Sequence, residues 1–216
     1  MSVNYIDLDL FLVDKTDKKY LFLFDWDDTL FPSSFMCKSG YWSPQEIPGS
    51  VLKKIKLIEC SILELFNYII SFSAVIIVTN SDKQWMNTTC KLFMPQLYTF
   101  IKKHVFDISA KNIHNIKYPD EPIMWKAKTM KYILNGFCKE NKNKPIVSIG
   151  DSVVERVAFK SISNILHLKN AVSIKFIDSP SINQLRSQLV QLKEDIEHIQ
   201  ERTTVFKSPY VSANKN

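Results

Sequence analysis

The chain has 216 residues, 45% of them hydrophobic and 23% charged, enough for one good-sized domain with a core and a small appendage. Its formal charge of +6 comes almost wholly from lysine, in a Lys- and Asn-rich composition with only 4 glycines. No dense Lys/Arg stripe interleaved with aromatics accompanies that charge, which argues against a nucleic-acid partner.

In chain order, residues 1–19 form an N-terminal segment. Met1–Val13 is apolar in places but carries Asp7 and Asp9 and no basic leader, so it does not read as a signal peptide. Tyr20–Phe24 is a near-continuous apolar run that ends on Asp25, the pattern of a strand buried on both faces. Phe31–Gly49 reads as irregular. Val51–Ser71 carries Leu52, Ile55, Ile58, Ile62, Leu65 and Ile69 at spacings of three and four, which predicts a helix. A second apolar run, Ala74–Val78, leads into Thr79-Asn80. Asp82–Met94 opens with a capping-type Asp and stops before Pro95, a second helix. Beyond a loop at Asn112–Pro122, helices are expected over Lys126–Cys138 and Ser152–Ser163. Between them the third run, Pro145–Ile149, leads into Gly150-Asp151. His104–Ile108, Ile165–Leu168 and Ser173–Phe176 are expected to be short strands nearer an edge. Strands alternating with helices predict an α/β fold with a doubly wound parallel sheet.

Helix Ser181–Glu201 carries a heptad-like seam of Ile182, Leu185, Leu189, Leu192, Ile196 and Ile199. It spans under three heptads, so docking on the core, and hence a monomer, is favoured over a dimer contact. Arg202–Asn216 has no apolar period and is expected to fray. The longest apolar runs, Ile62–Ile70 and Ala74–Val78, are too short or interrupted to cross a bilayer, so no membrane partner is expected. Cys37, Cys60, Cys90 and Cys138 stand far apart with no C-x-x-C pair, which suits neither a zinc site nor a disulfide framework. Reduced, mostly buried thiols in a cytoplasmic protein are the expectation.

Ligands of an open α/β sheet sit beyond the carboxyl ends of its strands. Asp25, Thr79 and Asp151 each fall just past such an end, so three polar side chains converge if their strands are parallel neighbours. Asp25 and Asp27 fall on the same side of the strand end while Trp26 points away.

The string Phe24-Asp25-Trp26-Asp27-Asp28-Thr29-Leu30-Phe31-Pro32 resembles the Asp-x-Asp-x-Thr nucleophile motif of the haloacid-dehalogenase-like hydrolases. Its extension to Ser34 is similar to a poorly characterised plant and protist subgroup. The resemblance runs from about Tyr20 to Phe176. It implies a Rossmann-like catalytic domain over 20–180, with the C-terminal helix at 181–201 and the tail at 202–216 outside it.

As the resemblance implies, Asp25 attacks phosphorus and forms an aspartyl-phosphate, while Asp27 serves first as acid and then as base. Asp25, Asp151, Glu155 and the main-chain carbonyl of Asp27 then gather a Mg²⁺ ion. Gly150-Asp151 through Glu155 resembles the fourth motif, with Glu155 one helical turn after Asp151. Thr79 resembles the second motif and donates to a phosphoryl oxygen, helped by the amide of Asn80. The basic residue of the third motif is Lys126 at the helix start, with Lys128 in reserve, since i and i+2 cannot share a helical face.

Ser109-Ala110-Lys111 resembles a Ser-Ala-Arg element of the subgroup with Lys in place of Arg. Asp28 reads as a loop or helix-start acceptor, and Asp7 and Asp9 as a decoy of the motif. His104, His114, His167 and His198 lack metal-ligand spacing, and Tyr41 and Trp42 fall at the rim. No insertion is long enough for a folded lid, so the cap is minimal. The expected activity is a Mg²⁺-dependent phosphate monoester hydrolase with a phosphorylated, macromolecular substrate drawn by Lys38 and Lys111. The alternative is a catalytically silent scaffold that binds a phosphorylated partner. Phosphoryl transfer to an acceptor other than water is disfavoured by the lack of a cap.

Overall fold

Five short strands, all parallel, form one sheet in a computed structural model that describes residues 5–139 and 141–202. They are β1 (Tyr20–Phe24), β2 (Ser73–Thr79), β3 (Phe106–Ser109), β4 (Ile146–Gly150) and β5 (Ala171–Lys175), in the spatial order β3-β2-β1-β4-β5. The helices are α1 (Tyr5–Asp14), α2 (Ser33–Ser39), α3 (Gly49–Ile69), α4 (Lys83–Phe93), α5 (Pro95–His104), α6 (Ala110–His114), α7 (Pro122–Phe137), α8 (Val153–Ile165) and α9 (Ile182–Arg202).

The two-residue period of the strands sorts their side chains into two cores. Phe22, Phe24, Val75, Ile77, Val147 and Ile149 face α3, α4, α5 and α9. Leu21, Leu23, Ala74, Ile76, Val78 and Ile146 face α1, α7 and α8. Burial on both faces is why these strands read as unbroken apolar runs. The result is a Rossmann-like, doubly wound layer structure. From β1 the chain winds outward to β2 and β3, then crosses back to β4 and β5 on the other side. The switch point, and with it the ligand crevice of such a sheet, therefore lies between the carboxyl ends of β1 and β4.

Several local expectations are corrected. Ile165–Leu168 is not a strand but the close of α8. The His167 N–H donates to the Asn164 carbonyl and the Leu168 N–H to the Ser163 carbonyl, at 3.1 and 3.0 Å, with His167 left-handed at φ 55°. This is a Schellman stop in which His occupies the usual Gly position and Leu168 provides its apolar contact. Pro95 ends α4 but also opens α5 as its first residue, so the strand expected from His104 starts only at Phe106. The last strand starts at Ala171, two residues before the expected Ser173. The stretch Phe31–Gly49 is only partly irregular, holding α2 and a 3-10 turn at Pro44–Glu46. Residues 5–14 of the N-terminal segment are helical, with Leu8 and Leu12 buried against α7 at Gly136, where a Cβ would meet Leu12 Cδ1 at 2.7 Å.

The α9 seam is buried within its own chain, as Ile182, Leu185, Leu189, Leu192 and Ile196 join the core beneath α3. The Ile199 side chain and residues 203–216 lie outside the described residues. Cys90 and Cys138 are buried but Cys37 and Cys60 are exposed, so the four free thiols are not mostly buried. No described helix is long and apolar enough to cross a membrane.

Candidate active site

The β1–β4 half of the crevice gathers the charge. Asp25 directly follows β1, and its N–H donates to the Ile149 carbonyl at 2.9 Å, carrying the β1–β4 ladder one residue past the carboxyl end of β1. Asp151 directly follows β4. Ser152 then caps α8, its Oγ accepting from the Val154 N–H at 3.1 Å, which starts the helix soon enough to carry Glu155 back over the strand end. Glu155 lies so close above Gly150 that a Cβ there would fall 2.0 Å from its Oε2, so a larger residue at 150 would displace the Glu155 carboxylate. From α7, Lys126 Nζ donates to Asp25 Oδ1 at 2.6 Å and to Glu155 Oε1. Lys126 sits in the second turn, not at the helix start, because Pro122 is the first residue of α7. Lys128 lies on another face, exposed, its ammonium 5.7 Å from the Tyr118 ring centroid.

One buried ammonium thus faces three carboxylates. Burial pushes the Asp25 carboxyl well above its ordinary value; Lys126 opposes this, while Glu155 and Asp27 add to it. Burial also raises Asp151 to about 7, with Glu155 and then Asp28 contributing. For Lys126, burial alone would favour the neutral amine, but Asp25 and Glu155 outweigh it and hold the ammonium above its ordinary value. The lysine stays charged, and surplus negative charge remains for protons or a cation to balance. Asp25, Asp151 and Glu155 each offer an oxygen within 4.8 Å of the others. An all-oxygen, carboxylate-rich donor set of this kind suits a hard divalent cation. The Asp27 carboxylate is not part of that cluster.

The β1–β2 half is built from neutral donors. Asp27 Oδ1 accepts from the Ser33 hydroxyl and, at 2.9 Å, from the Trp85 indole N–H. Its Oδ2 accepts from the Ser81 hydroxyl and, at 3.4 Å, from the Thr79 hydroxyl. Thr79 Oγ1 in turn accepts from the Ser81 N–H at 2.9 Å. Trp26, between the two acids, turns into the core, stacked on Phe31 at 5.8 Å with its N–H on Thr89 Oγ1 at 3.2 Å. Asp28 takes a left-handed φ of 55° and accepts the Ser34 N–H at 2.9 Å together with its hydroxyl, fixing the start of α2.

The structure thus brings Asp25, Lys126, Glu155 and Asp151 into one group, and Asp27 with Thr79 into the adjoining one. The Asn80 side chain instead ties the loop after β2 to α7, its Nδ2 donating to the Pro122 carbonyl at 3.0 Å, while its Oδ1 is buried without a partner. Ser109 caps α6 through the Asn112 N–H at 3.1 Å and donates to the Ser81 carbonyl at 2.7 Å, a structural use. Asp9 lies on α1, accepting from the Tyr132 hydroxyl at 2.8 Å. His114 Nε2 is 2.9 Å from the Tyr5 hydroxyl and His104 packs on Phe100 at 4.8 Å, both in structural contacts.

Sequence reasoning missed Ser33, Ser81 and Trp85. Ser81 stands two residues after Thr79, a period-two signal that could have found it. Ser33 and Trp85 reach Asp27 only through the fold. No protein-family model matches this chain, and neither a curated protein nor a solved structure shows significant similarity to it.

Proposed function

We propose that the chain is a haloacid-dehalogenase-like, Mg²⁺-dependent phosphate monoester hydrolase that works through an aspartyl-phosphate on Asp25. The observation that carries this reading is the group at the switch point, where buried Asp25 meets Lys126, Glu155 and Asp151. Two carboxylates two residues apart in such different surroundings support different roles. Asp25, paired with a cation, is the nucleophile. Asp27, held by hydroxyls and an indole, exchanges protons.

In the first step an Asp25 carboxylate oxygen forms a bond to phosphorus, the bond from phosphorus to the leaving oxygen breaks, and Asp27 gives that oxygen a proton. In the second, Asp27 takes a proton from water, the water oxygen bonds to phosphorus, and Asp25 leaves as a carboxylate with inorganic phosphate released. The Thr79 hydroxyl donates to a phosphoryl oxygen, and Lys126 offsets charge on Asp25 and the phosphoryl group. Asp25, Asp151 and Glu155 would hold the Mg²⁺, which supplies positive charge to phosphoryl oxygens.

Only α2 and a single 3-10 turn stand between β1 and α3, which favours a macromolecular substrate that itself covers the crevice. Lys38, exposed on α2, and Lys111, on α6, add long-range attraction for an acidic partner. The test is turnover of p-nitrophenyl phosphate with Mg²⁺ and with EDTA, followed by kcat/KM for phosphopeptides against metabolite phosphates. Turnover that depends on Mg²⁺ and on Asp25 is expected. A folded protein that binds phosphopeptides without turning over any phosphate monoester would be the silent scaffold instead.

A further inference from the structure

The chain has 4 tryptophans; Trp26 and Trp125 are buried, Trp85 is half-buried, and Trp42 is 56% exposed. Leaving an indole in water forgoes the burial that drives folding. Trp42 is nonetheless held in place. The N–H groups of Trp42 and Ser43 both donate to Glu46 Oε2, at 3.1 and 3.0 Å, in the capping box of the 3-10 turn. Its ring meets Trp85 nearly edge to face, with centroids 6.3 Å apart and planes at 65°. Trp85, in turn, donates to Asp27 Oδ1 at 2.9 Å. Outward from Asp27 the surface is therefore one indole and then a second, presented by two separate elements: the start of α4 and the loop after α2.

Resting on the hydrolase reading above, we propose that Trp42 and Trp85 form an aromatic ledge for the leaving group, and that the substrate is an aryl phosphate monoester, namely a phosphotyrosine side chain. Asp27 protonates the leaving oxygen, so the group bearing that oxygen lies against Asp27 and next to Trp85. In an aryl phosphate the ring is bonded directly to that oxygen and meets the indoles at once. Aromatic pairs prefer offset or edge-to-face contact at the centroid separations found here. The short alkyl stems of phosphoserine and phosphothreonine leave both indoles wet, and a sugar presents hydroxyls rather than an aromatic ring to them. In the step itself the Asp25–phosphorus bond forms, the bond from phosphorus to the phenol oxygen breaks, and that oxygen takes the proton from Asp27.

The test compares kcat/KM for phosphotyrosine and phosphoserine in otherwise identical peptides, together with free phosphotyrosine and phenyl phosphate, in the wild type, Trp42→Ala and Trp42→Phe. The wild type is expected to favour both peptide and free aryl phosphates. Trp42→Ala should lower kcat/KM for them about five-fold to ten-fold, chiefly through KM, with a smaller loss for phosphoserine, and Trp42→Phe should restore most of it. Equal loss for free and peptide-bound phosphotyrosine locates the recognition in the ring; a loss confined to the peptide, with no preference among free substrates, overturns the ledge. Phosphoserine turned over as well as phosphotyrosine, or an equal loss for both in Trp42→Ala, also overturns it while leaving the hydrolase reading intact. In Asp25→Asn, phosphotyrosine peptide should still quench tryptophan fluorescence, and the added Trp42→Ala change should weaken that binding. Such binding without turnover by the wild type supports the ledge and contradicts the hydrolase; neither binding nor turnover contradicts both.

Discussion

On the β1–β4 side of the crevice, Asp25 is gripped by a buried ammonium and crowded by Glu155 and Asp151; on the β1–β2 side, two residues away, Asp27 is held by three hydroxyls and an indole. The first half stores an excess of buried negative charge, which a folded protein tolerates only where something else will balance it. In the second, the Asp27 carboxylate is met by neutral donors alone, and the cost is geometric as well, since four donors from four places must converge on one carboxylate. The contrast teaches that a short motif can place two identical side chains side by side while the surrounding elements, α7 and α8 for one and α2 and α4 for the other, decide what each can do.

The contrast breaks most sharply at Asp25. Asp25→Asn should lower turnover by more than about 10⁴-fold, because an amide neither attacks phosphorus nor completes the cation site. Steady-state rates with an aryl phosphate check this, and near-wild-type turnover would place the nucleophile elsewhere. Asp27→Asn should cost about 10²–10⁴-fold, and least with the most acidic leaving groups, since it removes a proton donor rather than a nucleophile. A plot of rate against leaving-group pKa should therefore be steeper in the variant than in the wild type.

Stability against pH sharpens the same comparison. In EDTA the unfolded chain releases the Asp151 proton in the ordinary carboxyl range, whereas the folded protein keeps it until about 7. Between those values the folded state binds more protons, so stability falls as pH rises. Asp151→Asn should flatten that fall and, at pH 8, melt higher than the wild type, by about 1–2 kcal/mol once solvent screening is allowed for. A divalent cation should stabilise the wild type more than the variant. Thermal scans across pH, with and without cation, give both results. The mildest test is Ser81→Ala, which removes one of the four donors to Asp27 and should lower kcat by about five-fold while leaving cation-induced stabilisation unchanged.

The β1–β4 half was the more legible in the sequence. Its strands are buried on both faces and so announce themselves as apolar runs, and Asp25, Asp151 and Glu155 stand at fixed offsets from their ends. Choosing Lys126 over Lys128 rested on the Trp-Lys pattern of the resembling subgroup and on an expected helix start, whereas α7 begins at Pro122 and carries Lys126 in its second turn. The edge strands were harder, since β5 is half-buried over most of its length and carries a weaker signal. The helix stop at Leu168 imitated a strand because its apolar contact sits just beyond the last turn. Ser33 and Trp85 lie six and 58 residues from Asp27 and reach it only when α2 and α4 dock, which no local pattern encodes.

The most direct test of the central claim traps the covalent intermediate. Asp27→Asn, mixed with Mg²⁺ and an aryl phosphate and then quenched, is treated with borohydride, which reduces an acyl phosphate to the alcohol; proteolysis and mass spectrometry locate the reduced residue. Reduction at Asp25 alone, dependent on substrate, is the expected result. Reduction at another carboxylate, or none in any variant while the wild type turns over phosphate esters, would contradict the account.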